Sequence, residues 1–216
     1  MPIHDWSRAE ASVFHAFRHR WLGALCDAMN DGRLPDDHFA MIEEASDLAE
    51  ANSDTELANN GPAPGPARRA DCIAVRRGEG LLVAVVEVVS PGDKASAARL
   101  QSLIGSIAVL VGRRVHVLLI DLFPPGPHDP RGVHNAIWDT IEPEERDIPV
   151  GRPLAVASYD SGSIVATYVE PMAVGEILPE MPLFLEPGVY LPTPLESSYQ
   201  AAWDVLPAGL RGQLPA

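Results

Sequence analysis

Three residues define the chemistry this chain could perform: Asp71, Glu87 and Lys94. Asp71 opens a short apolar run, Cys72–Val75. Glu87 lies near the end of a second, Leu81–Ser90, inside an otherwise unbroken stretch of Leu, Val and Ala. The tight polar turn RRGEG joins the two runs, which is a β-hairpin signal. The start of one antiparallel strand lies beside the end of its partner, so the hairpin is expected to bring Asp71 and Glu87 within a few ångströms. Two close carboxylates repel, and a divalent cation relieves that repulsion. Mg²⁺ (or Mn²⁺) typically takes one or two protein carboxylates together with water and phosphate oxygens. Such an ion can activate water and stabilise the leaving oxygen in phosphodiester hydrolysis. A lysine beside it would hold the attacking water or neutralise the developing charge. Lys94 is the only lysine among the 16 basic residues of the chain, and an ammonium in a chain that otherwise uses arginine points to that chemistry. The plainer alternative stays open: Asp71 as a strand-edge acid and Glu87 as the partner of an arginine.

The elements that must position these residues are legible from periodicity. Phe14, Phe17, Trp21, Leu25 and Ala28 recur at intervals of three and four, so a helix is expected from about Ala9 to Asn30, opened by Ser7 and Glu10 at capping-box spacing. His38–Ile42 reads as a first strand running into Glu43 and Glu44. Residues 46–68, acidic and then rich in Ala, Gly, Pro and Asn, read as a mobile loop. After the hairpin, Ser90-Pro91-Gly92 breaks the chain, and a helix is expected from Asp93 to Gly112 with Leu100, Leu103, Ile104, Ile107, Leu110 and Val111 on one face. Val115–Ile120 is a continuous apolar run, the mark of a strand buried on both faces, and it ends in Asp121. A strand, a helix and a second strand of this length form a crossover, hence a parallel pair. Beyond it lie a turn-rich link, PPGPHDPRG, and a second hairpin, Pro153–Tyr159 with Ile164–Glu170. An extended, proline-punctuated stretch and a short helix, Ser197–Val205, follow.

Composition narrows the classes. A net charge of −14 argues against a general nucleic-acid binder. From Lys94 to Ile120, however, there is no acid at all, against Lys94, Arg99, Arg113 and Arg114. No apolar run reaches membrane-spanning length, MPIHDWSRAEA carries no secretory pattern, and the expected setting is the cytoplasm. Cys26 and Cys72 read as two buried thiols. Further candidates are Asp121 at the end of the buried strand, and Glu10 and Glu43 as additional acids. His15 and His19 stand at i, i+4, the spacing of a two-histidine metal site. Glycine-rich phosphate loops and nucleophile elbows are absent from the sequence.

The order helix, strand, strand, strand, helix, strand, with D…E and a lysine, resembles the PD-(D/E)XK nuclease superfamily. The wording VVEVVSPGDK followed by VHVLLIDL is similar to the DUF4058 family of bacterial proteins and its relative, the Uma2 family of restriction-endonuclease-like proteins. HDW…FHAFRHRWLGALCDAMNDGRLP and LPEMPLFLEPG…PLESSYQAAWD extend the likeness over most of the chain. The resemblance implies an α/β fold with a restriction-endonuclease-like core (α-β-β-β-α-β, mixed sheet) over residues 1–122. Residues 123–216, with a β-hairpin and a short helix, would pack on that core within the same domain. It implies Asp71 and Glu87 as metal-binding acids and Lys94 as the lysine, although Val89 stands at the usual lysine position and Ala70 where a proline often precedes the first acid. The implied function is a Mg²⁺-dependent nuclease acting on nucleic acid, or a degenerate descendant of one. The alternative is a non-catalytic binding protein that uses the same cleft.

Overall fold

The computed structural model describes residues 2–45, 48, 71–142, 151–212 and 214. The stretch expected to be a mobile loop, 46–68, lies outside them apart from Leu48. The helix α1 (Ala11–Asn30) leads into β1 (His38–Glu44), β2 (Asp71–Arg77) and β3 (Leu81–Val88). A single turn, α2 (Pro91–Lys94), precedes α3 (Ala97–Gly112) and β4 (His116–Asp121). Next come α4 (Gly132–Ile141), β5 (Leu154–Ser161), β6 (Val165–Met172), β7 (Met181–Glu186), β8 (Val189–Thr193), α5 (Leu195–Asp204) and α6 (Ala208–Arg211).

The fold is mixed α/β. Six strands form one sheet in the order β1-β2-β3-β4-β5-β6, and β7-β8 form a separate two-stranded ribbon. Only β3 and β4 run parallel, as the intervening helical crossover requires; the other neighbours are antiparallel. The expected C-terminal hairpin is β5–β6, and it continues the main sheet through β4 rather than forming a separate layer.

Each face of the sheet has its own core. On one, Phe14, Phe17, Trp21 and Leu25 of α1 pack against Ile73, Val86, Val88, Leu118 and Ile120, with Tyr199 and Trp203 of α5 closing the layer. On the other, Leu100, Leu103, Ile104 and Ile107 of α3 and Val133, Ile137 and Trp138 of α4 cover Cys72, Ala74, Val85, Val117 and Leu119. Alternation along β2, β3 and β4 sorts these residues cleanly by face. Both cysteines are buried thiols, not joined in a disulfide. No helix among the described residues is long and apolar enough to cross a membrane.

Three local expectations are corrected. The Ser7–Glu10 capping box does not form. Asp5 takes the Ser7 amide and hydroxyl instead, and Glu10 is the N-cap of α1 without a side-chain bond to the helix backbone. The capping box falls at Ser90, whose hydroxyl accepts from the Asp93 amide while the Asp93 carboxylate accepts from the Ser90 amide. The helix expected from Asp93 is therefore two pieces: α2 ends at Lys94, and Ser96 caps α3 afresh. Finally, the α3 helix is closed by Arg114 in the left-handed region, φ +63°, rather than by Gly112.

Candidate functional site

The acids of the hairpin are separated by one residue's shift in register. At the turn, Arg77 pairs with Leu81 and Arg76 with Leu82. Continued unchanged, that register would set Asp71 directly opposite Glu87. A β-bulge between Val75 and Arg76 intervenes, and beyond it Ile73 pairs with Val86. A one-residue shift moves side chains to the other face. Asp71 thus has the parity of Ile73 and Val75, which face α1. Glu87 has the parity of Val85 and Val89, which face α3. By parity the two acids leave the sheet on opposite faces, yet both meet α1 at the strand ends: Nη2 of Arg18 lies 3.3 Å from Oε1 of Glu87, and Nδ1 of His19 lies 3.7 Å from Oδ2 of Asp71.

Between the ends of β2 and β3 lies Arg18, a residue sequence reasoning passed over. Its side chain comes from α1 and is 2% exposed. Nε donates to the Val88 carbonyl at 2.8 Å, Nη2 donates to the Asp71 carbonyl, and Nη2 lies 3.3 Å from Oε1 of Glu87. The guanidinium thus bridges the two strands where their ladder stops, and it neutralises Glu87 at the same point. The signal was present. Arg18 sits four residues after Phe14 and three before Trp21, on the apolar face of α1. A charged residue on such a face needs a buried partner.

Lys94 turns to the end of β4, not to Glu87. Its ammonium lies 3.1 Å from Oδ2 of Asp121 and 2.8 Å from Oδ2 of Asp129, and it donates to the carbonyls of Phe123 and Pro124 at 3.1 and 3.0 Å. The contact with Asp129 is an ion pair without hydrogen-bond alignment; the other oxygen of Asp129 accepts from the Gly126 amide at 2.9 Å. Lys94 therefore ties the 122–130 connection down onto the strand end. Asp121 is buried, and its pKa is pushed up to about 6, first by desolvation, against the pull of Lys94 and the Phe123 amide, with Asp129 adding to the rise. Asp121 was a candidate from its position at the strand end, whereas nothing in the PHDPRG wording marked Asp129.

The remaining candidates disperse. Glu43 makes a two-pronged pair with Arg76, at 2.7 Å on each prong. Replacing Glu43 with Ala is expected to cost about 1 kcal/mol in urea unfolding, because the pair is only partly screened from water. Glu10 is exposed and accepts from the Ser12 hydroxyl at 3.4 Å. His15 is exposed on α1, while His19 reaches Asp71, with Nδ1 3.7 Å from Oδ2.

Among the described residues no three His, Cys, Asp or Glu side chains gather to hold a metal ion. Arg18 and Lys94 stand against Glu87 and Asp121, so a divalent cation at either acid would meet a fixed positive charge at close range.

No family model matches the chain, and comparison with curated proteins and with solved structures finds no significant match to either.

Proposed function

We propose that the chain is a non-catalytic binding protein on a restriction-endonuclease-like core, a descendant of a metal-dependent nuclease whose acids have become structural. The order α1-β1-β2-β3-α3-β4 supports the core. The observation that carries the loss of catalysis is Arg18, whose buried guanidinium holds Glu87 and both strand ends. A fixed internal cation stands beside the acid a nuclease would give to its metal.

Asp71 favours the second reading, a Mg²⁺- or Mn²⁺-dependent nuclease acting on nucleic acid. Its carboxylate is 36% exposed at the strand end, beside His19. Calorimetric titration with Mn²⁺ separates the two. The binding reading expects no saturable heat. A saturable heat abolished by both Asp71→Asn and Glu87→Gln, together with metal-dependent cleavage of DNA or RNA lost in the same variants, would overturn it.

A further inference from the structure

At the end of the sheet away from these acids lies a cleft of about 370 Å³ between the start of β3, the α3–β4 junction and the end of β7. Five residues separate Leu82 from Glu87, roughly 17 Å of strand, so this cleft is distinct from the acidic corner. Its polar lining is Arg77, Arg113, Arg114, His116 and Glu186, and its apolar wall includes Leu82 and Leu185. In a chain of net charge −14, three guanidinium groups around one cavity form a local reversal of sign. Glu186 pairs with Arg77 at 2.5 Å. His116 is held in the inner wall, its Nδ1 accepting from the Ser161 amide at 3.0 Å and lying 3.4 Å from Asp160.

Arg114 adds a separate argument. It is the one non-glycine residue with positive φ among the described residues, at +63°. Arg114 follows the α3 cap residue Arg113, a position where glycine is the usual choice because a Cβ is unfavourable there. Basic residues at a helix C-terminus do complement its dipole. That role, however, is open to a lysine or arginine one residue earlier, where Arg113 already stands. Arg114 thus places a guanidinium-bearing side chain at the conformationally costly position that borders the cavity.

We propose that this cleft binds an organic phosphomonoester, with the phosphate on Arg113 and Arg114 and the apolar part against Leu82 and Leu185. The planar fork of arginine matches phosphate oxygens two at a time. The volume is that of a small-ligand pocket, too small to enclose a chain of nucleotides. The assignment does not depend on whether the acids at the other end hold a metal.

Calorimetry of the full chain with phenyl phosphate and with inorganic phosphate, at matched ionic strength, tests it. Phenyl phosphate is expected to bind at one site, about tenfold tighter than inorganic phosphate because its ring is buried. Arg113→Ala and Arg114→Gly are each expected to weaken it about tenfold or more. Arg114→Gly should do so while leaving Tm equal to or above that of the parent, since glycine relieves the left-handed backbone. The proposal is overturned if phenyl phosphate gives no saturable heat, if it binds no tighter than inorganic phosphate, or if both variants titrate like the parent chain. It is also overturned if a DNA or RNA duplex binds through the same arginines and phenyl phosphate does not.

Discussion

Replacing Arg18 with leucine is expected to lower the free energy of unfolding by about 3–5 kcal/mol, the loss typical of removing one partner from a buried ion pair. The side chain is 2% exposed, and Glu87 beside it is 5% exposed. Leucine leaves the carboxylate of Glu87 without its guanidinium, and it leaves the carbonyls of Asp71 and Val88 without the N–H groups that now bridge them. Lysine is no substitute, because one ammonium cannot reproduce a planar fork reaching two carbonyls and a carboxylate. Removing both charges, in Arg18→Leu with Glu87→Leu, is expected to recover the ionic part of the loss, since a buried pair replaced by apolar groups is often close to neutral. Urea unfolding of the two single variants and the double variant measures the coupling. A loss below about 1 kcal/mol for Arg18→Leu, or a double variant as unstable as the sum of the two singles, would remove Arg18 from its central place.

This result bears on how far the sequence could be read. The periodicity of α1 and α3, the parallel crossover into β4 and the hairpin at Asp160–Ser163 follow from local pattern, and all are present. Two elements were hidden. The helix α4 opens at the end of PPGPHDPRG, and its fully buried apolar residues Val133, Ile137 and Trp138 are too few to outweigh that stretch. The β7–β8 ribbon carries Pro182 opposite Pro192, a pairing a central strand would not tolerate but a two-stranded ribbon, in which both strands are edges, does. The candidate site turns on finer detail. Local pattern puts Asp71 and Glu87 on neighbouring strands, where they stand, but their register depends on a single bulge, and no residue type in RRGEGLLV announces one. Lys94 stands out as the sole lysine. Its direction was set by the break between α2 and α3, which the serines at 90 and 96 signal only when read as two successive caps.

Raising the pH from about 4 to about 6 is expected to destabilise the chain through Asp121. Its folded-state pKa is about 6 against an ordinary value of 3.8. Across that window the folded protein keeps a proton that the unfolded chain has released, so stability falls with rising pH and levels off above about 6. The slope approaches about 1.4 kcal/mol per pH unit, and the whole window amounts to roughly 3 kcal/mol. Asp121→Asn is uncharged throughout, so subtracting its urea stability from that of the parent chain at each pH isolates the effect from other carboxylates. The neighbours then fix the direction of two further shifts. Lys94 lowers the pKa of Asp121, so Lys94→Met should move the inflection to higher pH. Asp129 raises it, so Asp129→Asn should move the inflection to lower pH. An inflection that stays in place in both variants would mean that Asp121 titrates independently of the cluster. Opposite shifts would identify Lys94 as the counter-ion that keeps two buried carboxylates in place, a role that occupies the ammonium a nuclease would need free for its attacking water.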